Sequence, residues 1–358
     1  MKARWILLAS GPALWGVSRL FALQPELVEQ LYGERLSRWI AMALGAVTGL
    51  VPVSVAEVGA VVGGATLLWG AVVGVRTAGW RALGRTLLDV LTLGSVGYAI
   101  FLAIWGIGAH RTPVGDTLGL PLEPASVDEL AALYADLVEA SNRLRAHVPE
   151  LDGVATVYGP ALAVLPRAVE VYAHAGEAWP LLSGNYAVPK PVMASPIMSA
   201  TGVLGIYIPF TGEANVDMDV PAFALPFDVC HEMAHQRGFT REDEANFVAW
   251  RVARDAPDVD FRYSAAFFAQ VYVARALAEV DEARWRELRK NVSPGVLADA
   301  DYWWAWVTQT RSEKAAAVTD AVNDTYLKSQ GSSGMRSYGE VVDLLLADRR
   351  ARLAAEGK

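Results

Sequence analysis

The chain has 358 residues, 53% of them hydrophobic and 20% charged, and its mean hydropathy is +0.25. That apolarity excludes an ordinary soluble domain, and a net charge of −8 excludes a nucleic-acid partner, whose phosphates need a basic face. The single cysteine, Cys230, excludes an intrachain disulfide, so a domain outside the cytoplasm rests on its packed core, with or without a metal.

Residues 5–23 form a first apolar stretch behind Lys2 and Arg4, residues 57–76 a second, and residues 86–107 a third. Each matches the roughly 20 residues that a helix needs to cross hydrocarbon. The loop between the second and third carries Arg76, Arg81 and Arg85, and the positive-inside rule puts it, with the N-terminus, in the cytoplasm. Three spans then place the lipid bilayer around residues 1–107 and everything after about residue 108 on the outer side. A cleaved signal peptide is the rival reading of residues 1–23, opposed by Arg19 and by the lack of a small-x-small site after it. The shorter segment 38–52, ending at Pro52, reads as an interfacial or re-entrant helix on the outer face, and Glu57 as an interfacial residue.

Residues 108–124 are rich in Gly and Pro and read as a linker to a domain covering 125–358. Ser126, with Glu129 three residues later, predicts an N-cap and a helix to about Ala146, whose Leu130, Leu133, Leu137 and Val138 share one face. A second helix is expected over 159–175. The stretch 187–230 is broken by Pro and Gly and holds a β-rich run at 203–208, which predicts one or two short strands. Helical patterns return at 229–254, 263–280, 283–290, 299–328 and 337–354. The fold class is therefore mainly α, with an α+β outer domain and a small sheet.

The chemistry lies in 228–250, DVCHEMAHQRGFTREDEANFVAW. His231 and His235 are four apart, so on a helix they project from one face and can share one tetrahedral zinc ion. Glu232 stands beside the first of them, where it can act as general base on a metal-bound water. Gly238 suits the residue after a helix end, and Thr240, with Asp243 at capping-box distance, is expected to start a second helix. On that helix Glu242 is the expected third ligand and Asn246, one turn on, orients a ligand histidine through its other ring nitrogen. Glu244 points about 200° away from Glu242 and stands as the alternative ligand.

HEMAH followed by EDEAN resembles the gluzincin pattern, in which HExxH precedes Glu-x-x-Ala-Asp or Glu-x-x-Ala-Asn. The resemblance implies a zincin-like fold, zinc as cofactor, Glu242 as third ligand and Asn246 as the supporting residue, although the connection after His235 is shorter than in better-known gluzincins. With PFTGEANV at 209–216 and SYGEVVDLLL at 337–346, nearly the whole chain also resembles a bacterial membrane family known as domain of unknown function 3810, which implies no substrate.

Other residues carry two readings each. Glu213 and Asn215 line a substrate cleft or belong to a structural turn at Gly212; Tyr207 and Tyr338 donate to an oxyanion or sit in the core; Lys190 binds a carboxylate or is a solvated loop lysine. Cys230 points about 100° away from His231 and is expected in the core. The expected activity is a membrane-anchored zinc metallopeptidase acting on a peptide or protein outside the cytoplasm. A zinc-binding sensor or scaffold without turnover is the alternative.

Overall fold

In the computed structural model, residues 2–79, 81–317, 319–321 and 337–357 are described. Two helices, Val55–Ala78 and Arg81–Ile104, contain stretches long and apolar enough to cross a membrane, which supports a multi-pass membrane protein. Val55–Ala78 opens on Ser54, whose hydroxyl accepts from Glu57 N–H at 3.0 Å, and stops at Gly79 with φ +65°. Its side chains, among them Val61, Leu68 and Trp69, face outward on all sides, as a lipid-facing helix requires.

The first apolar stretch behaves differently. Ala3–Phe21 and the segment Pro25–Thr48 meet the same measure only together, as a pair bent by 106°. Among the described residues two spans are therefore clear, and a third exists only if this bent pair counts as one. Lys2–Phe21 lies along Arg81–Ile104: Ser95 Oγ donates to Leu8 O at 2.7 Å and accepts from Gly11 N–H at 3.0 Å, and Arg4 pairs with Asp89. That pairing accounts for an acidic residue in an otherwise apolar stretch.

After the bend, a π-helical segment Val28–Leu36 leads into the helix Ser37–Thr48, which corresponds to the interfacial segment expected from the sequence. Ala41, Gly45 and Thr48 form its inner edge. Gly212, at φ +67°, lies so close that an added Cβ would fall 2.8 Å from Ala41 O. The residues read as a linker are packed as well: Gly108, Ala109, Arg111 and Val114 are buried, and Arg111 makes a buried bidentate pair with Glu29 at 2.6 and 2.8 Å.

The remainder is mainly helical. Val127–Arg145 carries the capping box expected at Ser126 and Glu129. The HEMAH helix, Leu225–Gln236, lies in the middle, buried over nearly its whole length, and packs against Glu242–Arg254 (the EDEAN helix), Val259–Val280 and Val164–Ala178. Leu225, Val229 and Met233 of the first meet Phe247, Val248, Phe261, Phe267 and Tyr172 in one apolar core. The C-terminal helix Ser337–Ala355 buries Val341, Leu345 and Leu346 in the same core and is held by Asp348, which accepts from Arg251 at 2.8 Å and Arg254 at 2.7 Å.

The sheet is small. Gly205–Ile208 and Glu213–Val216 form an antiparallel hairpin, turned by Pro209–Gly212, and Lys190–Pro191 pairs with the other side of Glu213–Val216 in parallel. A separate two-residue hairpin, Glu150–Leu151 with Val154–Ala155, turns at Asp152 (φ +53°) and Gly153 (φ +83°). Both positive φ values fit a type I′ turn, for which Asp-Gly is a preferred pair.

Candidate metal centre

The HEMAH helix ends in a Schellman turn. Phe239 N–H donates to Ala234 O at 3.2 Å and Gly238 N–H to His235 O at 2.8 Å, with Gly238 at φ +87°. The turn delivers the Phe239 carbonyl to His235, whose Nδ1 lies 2.6 Å from it. A carbonyl can only accept, so Nδ1 carries a proton, and in the neutral imidazole Nε2 is the lone-pair donor. Asn246, on the EDEAN helix, does the same for the other ring, with its Oδ1 2.9 Å from His231 Nδ1. Tyr272 donates to that same oxygen at 3.3 Å, which helps keep the amide oxygen turned toward the histidine.

Both Nε2 atoms therefore point into one space, and Glu242 enters it from the EDEAN helix. His231 Nε2 and His235 Nε2 are 3.0 Å apart, and the Glu242 oxygens lie 3.2 Å from the first and 3.5 Å from the second. Tetrahedral ligands with bonds of about 2.0–2.1 Å lie about 3.3 Å from one another. The three donors thus already stand at the edges of such a polyhedron, and this largely buried cluster could hold a metal ion. Burial lowers His235, but the facing Glu242 carboxylate outweighs it and raises the imidazole to about 9. Burial works the other way on Glu242, yet the two histidines hold it well below the usual carboxylate range.

Glu232 is next to the cluster and almost fully buried. The edge strand Gly205–Ile208 runs directly over it: a Cβ on Gly205 would fall 2.5 Å from Glu232 Cγ, and the Tyr207 amide donates to its carboxylate. Among the described residues its Oε2 has no hydrogen-bond partner. Burial pushes the carboxyl up to about 7, against the pull of His231 and His235.

Glu244 is turned away from the two imidazoles. Its Oε1 accepts from Val114 N–H at 2.8 Å and from Arg241 at 2.7 Å, which ties the segment after the second span to the EDEAN helix. The expectation that Thr240 caps this helix is corrected: the N-cap is Arg241, in extended conformation and without a side-chain cap bond. Starting one residue later puts Glu242, Asp243 and Glu244 in the first turn, where the helix dipole favours anions.

The remaining sequence candidates have other surroundings. Glu213 accepts from Val55 N–H at 3.0 Å and Ala56 N–H at 2.8 Å, the first-turn amides of the membrane helix Val55–Ala78, and from Lys190 at 2.5 Å. Lys190 is buried rather than solvated and also donates to Thr48 O at 2.7 Å and Val53 O at 3.0 Å. Burial would raise Glu213, but Lys190 and the two amides hold it below the usual range. Asn215 donates to Ile206 O at 3.2 Å and Glu213 O at 3.1 Å, within the hairpin. Glu57 accepts from Met193 and Ala194 amides at 3.1 and 2.8 Å. Cys230 is fully buried in the core. The Tyr338 side chain lies outside the described residues.

Tyr207 stands close to the centre, and so does a residue that sequence reading did not single out. Trp105 packs against Tyr207 with tilted rings whose centroids are 4.9 Å apart and meets His235 edge-on at 5.9 Å. Its only sequence signal was its place at the end of the third apolar stretch.

The chain belongs to the family described as protein of unknown function (DUF3810), whose model matches residues 32–346. Comparison with curated proteins and with solved structures gives no match.

Proposed function

We propose that this chain is a membrane-anchored zinc peptidase of the gluzincin kind, with residues 125–358 facing away from the cytoplasm. The observation that carries the reading is the convergence of His231 Nε2, His235 Nε2 and Glu242 at 3.0–3.5 Å from one another, beside a buried oxygen of Glu232 that has no partner among the described residues. A purely structural site needs ligands but no base. Two imidazoles and a carboxylate favour zinc among the common divalent ions. Zinc held there supplies a Lewis acid for a peptide carbonyl and brings the pKa of a water toward neutrality.

The chain's own groups do the rest. Glu232, at about 7, is suited to accept a proton from the attacking water and return it to the leaving nitrogen. Asn246 and the Phe239 carbonyl keep both imidazoles in the tautomer that leaves Nε2 free to bind. Tyr207, whose hydroxyl burial keeps protonated, is the proposed donor to the developing oxyanion, with Tyr338 as the alternative. Trp105 shields His235 from water on one side. An orientation with Arg76, Arg81 and Arg85 in the cytoplasm puts the substrate among exported or envelope polypeptides.

The Glu232→Gln variant tests the reading against a sensor or scaffold. Unchanged zinc content with loss of proteolysis supports a peptidase. Full function in the cell with this variant, but not with His231→Ala, supports the non-catalytic alternative.

A further inference from the structure

The centre's position relative to the membrane helices narrows what it can act on. The apolar span Gly84–Ile104 ends one residue before Trp105, the residue that touches both Tyr207 and His235. Within that span, Phe101 lies 6.3 Å from Phe210 of the hairpin turn. The other span begins at Val55 and Ala56, whose amides are held by Glu213 just after the same turn. The Pro209–Gly212 turn therefore rests against the ends of both spans.

From that turn the edge strand runs back to Gly205, against Glu232. At about 3.3 Å per residue, the three steps from Ile208 to Gly205 cover about 10 Å. The polar layer outside the hydrocarbon is about 5–8 Å deep on each side of a bilayer. Gly205, and Glu232 against it, therefore lie no more than about 10 Å along the strand from the turn that rests on the span ends, a reach comparable with the headgroup layer.

The surface around the centre is apolar to match. Ile206 and Phe210 are 45% and 46% exposed. The helix Ser37–Thr48, docked on the same turn through Gly45 and Gly212, turns Trp39 and Val47 outward at 69% and 68% exposure, with Leu50 just beyond its end at 84%. A row of large apolar side chains on an interfacial helix fits lipid, not water.

We propose that the centre opens within the headgroup layer and acts on polypeptide tethered there, the stretch of chain directly outside a transmembrane helix or lipid anchor. The proposal rests on the peptidase reading above for its chemistry but not for its geometry. A tethered extended chain is held beside the centre as it leaves the lipid, whereas nothing holds a freely diffusing folded protein there.

Because Cys230 is the sole cysteine and is buried, single cysteines introduced elsewhere can be labelled selectively. The full chain is placed in phosphatidylcholine–phosphatidylglycerol vesicles with a nitroxide at Ile206→Cys. Leu68→Cys serves as the lipid reference and Glu282→Cys, on the polar helix Glu282–Arg289, as the aqueous one. The expected ratio of collisions with oxygen to collisions with a water-soluble nickel chelate at Ile206 lies between the two references. A ratio equal to that at Glu282 overturns the proposal.

A randomised peptide pool carrying one palmitoyl chain is then added to vesicles containing the unlabelled protein, and the products are mapped by mass. An extended chain covers 10 Å in about three residues, so cuts are expected within about three to six residues of the anchor. Cuts spread evenly along the tail, or equal turnover of the unacylated pool, overturn the substrate assignment. No cleavage of either pool by zinc-loaded protein rejects the peptidase reading and the assignment with it, while the nitroxide still reports where the centre lies.

Discussion

Asn246 Oδ1 stands 2.9 Å from His231 Nδ1, so the EDEAN helix supplies the carboxylate of the His231–His235–Glu242 cluster and also an acceptor that orients a histidine on the neighbouring helix. Replacing Asn246 by Ala removes this acceptor without touching the three ligands. Loss of such a supporting group typically weakens metal binding by about 10–100-fold. Competition with a chromogenic chelator measures it, and unchanged affinity would mean that His231 needs no external support.

Glu232 is expected to be dispensable for metal binding and indispensable for turnover. Glu232→Gln keeps the shape of the side chain but removes the proton acceptor, and losses of about 10²–10⁴-fold in rate are typical for a general base. The variant should retain the metal stoichiometry of the parent protein.

Metal uptake should depend on pH through His235. The Glu242 carboxylate facing it holds its value up to about 9, so at neutral pH the imidazole carries a proton that a metal must displace. Affinity is therefore expected to rise as pH increases toward 9 and to level off above it. Near pH 7, calorimetry in buffers of different ionisation enthalpy should show release of about one proton per metal bound.

Much of this centre was legible in the sequence because its parts are local. The i, i+4 histidines, the adjacent glutamate and the Gly238 turn lie within a single helix and its end. Helical geometry alone turns Glu242 and Glu244 to different sides, and their surroundings differ accordingly. The capping box at Ser126 is equally local. What escaped depends on contacts distant in the chain: Trp105 against His235, the Lys190–Glu213 pair beneath the membrane helix, and the packing of residues 106–117 around Arg111. Gly and Pro density marks a break in regular structure but does not say whether the break is solvated. The first apolar stretch ends at the 106° bend between Ala3–Phe21 and Pro25–Thr48, which composition does not reveal, and it counts as a span only if that bent pair is one.

The Lys190–Glu213 pair joins the sheet beside the centre to the start of a membrane helix. Removing one partner of such a buried pair leaves the other charge uncompensated, typically at a cost of about 3–5 kcal/mol. Lys190→Met should lower the unfolding temperature in detergent strongly, and adding Glu213→Gln to it should restore part of the loss. A double variant no more stable than Lys190→Met alone would show that Glu213 is held by the helix amides without the lysine.

Glu129 offers a test at the surface. Its bonds to Arg350 and to the Ser126 backbone hold the carboxyl at about 2, below its ordinary 4.5. A depressed carboxylate adds stability above its unfolded value, and that stability is lost as pH falls from about 4.5 to about 2. Glu129→Gln should flatten the acid limb of the stability profile across that window, and should loosen the C-terminal helix that Arg350 anchors.

The central claim is that His231, His235 and Glu242 hold one metal ion. Elemental analysis of detergent-purified protein, beside the His231→Ala, His235→Ala double variant, tests it most directly. The account predicts about one zinc per chain in the parent protein and none in the variant. Parent protein that takes up no zinc after reconstitution, or a variant that keeps it, would contradict the account.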